Sequence, residues 1–135
     1  MGMFDFLKSK KQKEQEEMEE LAEGLAKMFT ELKEMKTQGI DADRIPNGHG
    51  PYGLCATNPI PTTSPTGSNI YLGRLRLNGR NVSASRFGST SAKDVTAGMI
   101  DIYNLTQDGK GCGTIYVCHY HKRISGIPPQ GFTLA

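Results

Sequence analysis

The sequence predicts an α+β protein, an N-terminal amphipathic helix followed by a small antiparallel β-sheet domain of about four strands. Three observations carry that expectation. Apolar residues recur three and four apart between Lys11 and Thr37, they alternate two apart after Asn69, and a stretch dense in proline and glycine separates the two regimes. The expected organisation is a flexible N-terminus over 1–10, the helix over 11–38, a linker over 39–49 and a β-rich domain over 50–135.

The helix rests on composition and spacing together. Residues 11–37 are rich in Glu, Lys, Leu, Met and Ala and contain no proline. Met18, Leu21, Leu25, Met28, Leu32 and Met35 follow the a/d spacing of a heptad, and Ala22 and Phe29 widen that seam on one side. One face is therefore built to be buried, either on the protein's own sheet or against another chain in a short coiled coil. Gly39 offers a left-handed stop. The preceding segment, MGMFDFLKSKK, has an apolar patch of Met3, Phe4, Phe6 and Leu7, read either as a frayed end or as a weak foot on an anionic membrane.

Between Ile40 and Asn69 the chain carries Pro46, Pro51, Pro59, Pro61 and Pro65 with Gly48, Gly50, Gly53 and Gly67, so regular structure is not expected. The stretch is expected to split. Residues 50–61 offer Tyr52, Leu54 and Ile60 for burial against the sheet. Residues 62–68 hold only Thr, Ser, Pro and Gly, which repay little of the entropy of being fixed, and are expected to stay mobile.

From Tyr71 the segment YLGRLRL alternates, with Tyr71, Gly73, Leu75 and Leu77 on one face and Leu72, Arg74 and Arg76 on the other. Asn78-Gly79 follows, a type I′ hairpin signal that sets Leu77 opposite Arg80 and Leu75 opposite Val82. A second hairpin joins MIDIYNLT to TIYVCHYH through Asp108-Gly109. The proline-rich tail is expected to end irregularly, with Phe132 and Leu134 docked on the body.

Composition narrows the function classes. Sixteen basic and fourteen acidic residues give a net charge of +2, well short of a dedicated nucleic-acid protein. The charge is unevenly spread, with the helix acidic and the C-terminal part basic. No signal-peptide pattern and no run of roughly 20 apolar residues appears, which reads as a soluble, cytoplasmic protein. Three cysteines, Cys55, Cys112 and Cys118, are expected to be reduced.

Three site readings compete. His119 and His121 share a face if their strand is regular, a geometry for two ligands of a zinc ion with His49 or Cys55 as further donors. The spacing fits no paired Cys-x-x-Cys signature, and Cys118 would point away from both histidines. A small enzyme using Cys118, His119 and His121 lacks an arranged base and nucleophile, and an acid such as Asp101 near Cys118 raises a thiol's pKa. Arg74, Arg76, Arg80 and Arg86 form a candidate basic surface for single-stranded nucleic acid, with Tyr71, Phe87, Tyr116 and Tyr120 nearby for stacking.

GPYGLCATNPIP, YLGRL, IDIYNLTQDG, YHKR and PPQGF together resemble an uncharacterised group of small bacterial proteins with the layout G-x-x-G, TNPIP, YLxxL, DIY, YHxR. The resemblance covers about residues 50–132 and implies only that connector and strands form one domain. The favoured expectation is a non-catalytic protein-protein interaction or assembly module. Its partner or its own copy would bind through the helix residues Met18, Leu21, Leu25, Met28, Phe29, Leu32 and Met35. No cofactor and no catalytic residue is expected.

Overall fold

The structure, a computed structural model, describes residues 2–37 and 39–135, with side chains placed over 12–30 and 39–135. The chain divides into two compact units, Met1–Glu34 and Met35–Ala135. Helix α1 spans Gly2–Thr37 and so begins ahead of Lys11, taking in residues expected to be a flexible terminus. At 1.5 Å per residue its 36 residues reach about 54 Å. Leu32 and Met35 lie outside the described side chains.

The second unit is α+β, as expected. Strands β1 (Ile60–Pro61), β4 (Ser83–Thr90), β5 (Ile100–Gln107) and β6 (Lys110–Cys118) form one sheet in the order β1-β6-β5-β4. Strands β2 (Leu75–Leu77), β3 (Arg80–Asn81) and β7 (Thr133–Leu134) form a second in the order β3-β2-β7. Both expected hairpins are present. Asn78 and Gly79 have φ of 55° and 76°, and Asp108 and Gly109 have 53° and 74°, the paired left-handed residues of a type I′ turn. Leu77 pairs with Arg80 and Arg76 with Asn81, the register the turn requires, and on the other edge of β2 Leu75 pairs with Leu134 of β7.

One pair departs from the expected antiparallel plan. β1 runs parallel to β6, with Ile60 opposite Val117 and Pro61 opposite Cys118, so the four-stranded sheet is mixed. Two prolines flank Ile60 and supply no amide, which suits an edge strand. The connector ahead of it is ordered: Gly53 N–H donates to Asn58 O at 2.7 Å and Tyr116 N–H to Gly53 O at 2.9 Å. Gly53 has φ +73°, and a Cβ there would stand 2.8 Å from Ile60 Cδ1.

The expectation of a mobile segment over 62–68, and of a strand through Tyr71, is corrected. Pro65–Arg74 is helix α2. Ser64 is its N-cap, accepting a hydrogen bond from Gly67 N–H at 3.0 Å, and Pro65 occupies the first turn, where its missing amide costs nothing. Ser68, Tyr71, Leu72 and Leu75 are buried at helical spacing. The hydroxyls of Thr62 and Ser68, both wholly buried, bond each other at 2.8 Å, so polar side chains are fixed here by pairing and not by apolar burial. Gly67 packs closely, since a Cβ there would displace the Thr63 hydroxyl and stand 3.3 Å from Ile124 Cγ1.

Both faces of the four-stranded sheet are covered. Tyr103, Leu105, Ile115 and Val117 join Tyr52, Ile60, Tyr71, Leu72 and Leu75 on one face, while Ile100 and Cys118 join Ile45, Ala92 and Val95 on the other. The tail docks through Phe132 and Leu134.

Two substitutions test this account. Ser64→Ala should lower stability by about 1 kcal/mol through loss of the cap, read as a shift of the urea midpoint with unchanged slope. Ile60→Asp, at a position of zero exposure, should abolish the cooperative transition altogether.

Candidate functional site

The C-terminal end of β6 gathers most of the ligand-type side chains and sends them to opposite sides of the sheet. Alternation along the strand puts His119 on the face of Val117, where Asp101 reaches it from β5. His119 Nδ1 donates to Asp101 Oδ2 at 2.9 Å, and Arg86 of β4 approaches Asp101 Oδ1 through Nη2 at 3.2 Å and Nε at 3.3 Å. The Asp101 side chain is 9% exposed and that of His119 is 18% exposed, so a nearly buried carboxylate is held between the imidazole and the guanidinium. The His119 and Tyr120 rings pack at 4.4 Å, inclined at 32°.

The strand ends at Cys118, and this changes where His121 goes. Past that point the backbone turns to Thr62 and Ile40, with His121 N–H donating to Thr62 O at 3.0 Å and Lys122 N–H to Ile40 O at 2.9 Å. His121 is therefore not on the face of His119. It lies on the Cys118 side: Thr96 Oγ1 is 3.5 Å from His121 Nε2 and 3.7 Å from Cys118 Sγ. Cys118 and His121, expected to point apart, share Thr96 as a neighbour.

Ile40 N–H donates to His121 Nδ1 at 3.0 Å. Nδ1 is thus an acceptor, the ring proton sits on Nε2, and the imidazole donates to Thr96. A donating imidazole does not take a proton from that hydroxyl, so His121 and Thr96 are not a base and nucleophile. Burial pushes the pKa of His121 below its usual 6.5. Burial likewise raises the pKa of Cys118, a shift that the Thr96 hydrogen bond opposes, and this disfavours the thiolate.

A cavity of about 310 Å³ opens beside this group, lined by Ile40, Ile45, Pro46, Asn47, Lys93, Asp94, Val95, Thr96, Ala97 and His121. Lys93 Nζ is tied to Ala97 O at 2.8 Å. His119 has the tautomer a histidine base needs, with Nδ1 on a carboxylate, but no serine, threonine or cysteine side chain hydrogen-bonds to it among the described residues.

The other candidates are dispersed. His49 faces Asp94 at 3.9 Å, and Cys55 is turned into its own loop, with Sγ 3.4 Å from Pro51 O. Among the described residues no three His, Cys, Asp or Glu side chains come together as a metal site. Arg74 Nε donates to Ala135 O at 2.8 Å, and Arg76 bonds the carbonyls of Gly73 and Leu75 at 2.7 and 2.9 Å. Arg80 pairs with Asp108 at 2.9 Å and Arg86 with Asp101. Each arginine of the expected basic surface is thus engaged by an acceptor of its own chain.

On α1 the expected seam residues with described side chains are exposed. Met18 is 73%, Leu21 66%, Leu25 47%, Met28 57% and Phe29 69% exposed. No described helix is long and apolar enough to cross a membrane. Comparison with family models, with curated proteins and with solved structures gives no match.

Sequence reasoning did not find Thr96 or the Ile40 amide as partners of His121. It did not pair Arg86 with Asp101 either, because that contact crosses from β4 to β5, a strand pairing that belongs to neither expected hairpin.

The His121 environment gives a pH dependence. Its native pKa is lowered below that of the unfolded chain, so its contribution to stability is complete above about pH 6.5. As the pH falls below that, the unfolded state gains the proton first and stability declines, at no more than about 1.4 kcal/mol per pH unit, until the native pKa is passed. His121→Asn, which keeps an acceptor near Nδ1, should flatten this part of the profile in urea melts between neutral and mildly acidic pH. An unaltered slope would show that His121 is not its source.

Proposed function

We propose that the chain is a non-catalytic protein-interaction module whose docking element is helix α1. The observation that carries this reading is the exposed row of Met18, Leu21, Leu25, Met28 and Phe29, large apolar side chains at helical spacing. Full burial of such a side chain is worth about 1.5–3 kcal/mol, so a helix that leaves five of them in water gains substantially from a partner. Their spacing follows the ridge an amphipathic helix offers a groove or another helix.

The second unit supports the reading from the opposite direction. Its cysteine most enclosed by histidine and threonine is buried and held as a thiol, its buried histidine donates where a base would accept, and among the described residues no serine, threonine or cysteine side chain hydrogen-bonds to the His119 of its His119–Asp101 pair. Catalysis would require rearrangement of all three. The basic-surface reading is less favoured, because its four guanidinium groups are engaged within the chain.

A photo-crosslinking residue at Phe29 or Leu25 should give protein adducts in cells, while the same residue at Glu16 or Glu23 on the opposite side of the helix should not. Leu25→Asp should remove the Phe29 adduct and leave the thermal melt of the β-rich unit unchanged. Equal labelling from both sides would contradict the proposal. Binding of a single-stranded oligonucleotide that is lost on Arg80→Ala and weakens steeply with salt would replace it with the basic-surface reading.

A further inference from the structure

We infer that the partner of α1 is the same helix of a second copy, laid antiparallel across it. The inference rests on α1 being the docking element, and three features of the helix name the occupant and its direction.

The first is where the charges stand. With Met18 and Leu25 at heptad position a and Leu21 and Met28 at d, four of the six glutamates over 12–30, Glu16, Glu19, Glu20 and Glu23, fall at positions b, c and f, away from the seam, while Glu17 flanks its N-terminal end at g and Glu14 falls at d. Two copies therefore join their apolar faces without bringing these like charges together. The positions flanking the middle of the seam are Ala22 and Gly24, which carry no charge.

The second is the asymmetry along the helix. Residues 12–20 hold one lysine, Lys13, and five glutamates, while residues 21–30 hold Glu23 and Lys27 and are neutral. A parallel pair sets the acidic half against itself and stacks Glu14, which occupies a d position, on its own copy. An antiparallel pair sets the acidic half against the neutral half. It also opposes the two helix dipoles, which favours that direction further.

The third is fit. In the antiparallel pair Met18 of each chain layers on Met28 of the other, Leu21 on Leu25, and Phe29 extends beside the small Ala22. Gly24 then falls next to the two-fold axis. Nothing lies within 4 Å of the place a Cβ would take at Gly24, so the helix presents a bare backbone notch where two helices approach most closely. Glycine in a helix interior costs helix stability, and close approach gives a reason for it to be there. The methionines adapt their shape to a facing copy of themselves.

Sedimentation velocity on the full chain across a micromolar concentration series should give twice the 14.8 kDa chain mass. Leu25→Asp should raise the dissociation constant by about a hundredfold or more, since each dimer would bury two carboxylates. Gly24→Leu raises helix propensity yet should also weaken the dimer. For the direction, Leu21→Cys and Leu25→Cys are placed separately in a chain carrying Cys55→Ser and Cys112→Ser, with buried Cys118 left in place. Oxidation of a mixture of the two should give mainly the mixed disulfide.

Faster self-coupling of each variant would overturn the antiparallel arrangement. A chain that stays monomeric throughout the series overturns the second copy as partner. If such a monomer still gives Leu25-dependent protein adducts from Phe29, the docking role stands with a different protein; if it gives none, both fall. Leu25-dependent binding of the monomer to anionic vesicles would assign the face to lipid instead.

Discussion

The β-rich unit depends on a strap of three residues. The backbone of Ile60–Thr62 receives or gives three hydrogen bonds that join distant parts of the chain. Thr62 N–H reaches Cys118 O at 2.9 Å, His121 N–H reaches Thr62 O at 3.0 Å, and Ser125 N–H reaches Pro61 O at 3.0 Å. Through them the proline-rich connector becomes the edge of the main sheet, and the segment after β6 is pinned on its far side. Ile60, Pro61, Thr62, Val117 and Cys118 are among the least exposed residues of the molecule. With water excluded, each of these backbone groups would be costly to leave unpaired, so the strap holds the connector, sheet and C-terminal segment together.

The same strap decides what the histidines can do. By drawing the chain away from the sheet directly after Cys118, it sends His119 to Asp101 and Arg86 on one face and His121 to Ile40 and Thr96 on the other. A regular strand would have left both imidazoles on one face as a ready ligand pair. Each histidine instead completes a different layer, one neutral and buried, the other bonded to a carboxylate. The chemistry suggested by the sequence string CHYH is divided between two environments.

Much of the fold was legible because its signals are local. Asn78-Gly79 and Asp108-Gly109 demand left-handed backbone, and both became type I′ turns. The heptad in α1 and the burial of Ile60 and Tyr52 follow equally from residue type. What escaped was non-local or ambiguous in period. Tyr71, Leu75 and Leu77 fit an alternating strand, but Ser68, Tyr71 or Leu72, and Leu75 fit a helix as well, and the cap at Ser64 with Pro65 decides for the helix. The parallel pairing of β1 brings together residues nearly sixty apart in sequence and rests on two residue pairs, which no local pattern encodes. The state of His121 depends on the amide of Ile40, 81 residues away.

Among the described residues the core clusters of the β-rich unit are formed by its own side chains, and the docking role proposed for α1 requires that they do not depend on the apolar row. Amide hydrogen exchange of the full chain, compared between the native sequence and Leu25→Asp, tests it directly. The amides of Thr62, His121 and Ser125 are expected to exchange with the slow set of β5 and β6 and at the same rates in both proteins. Faster exchange of these three amides in Leu25→Asp would show that the helix face belongs to the core of the β-rich unit and would contradict the account.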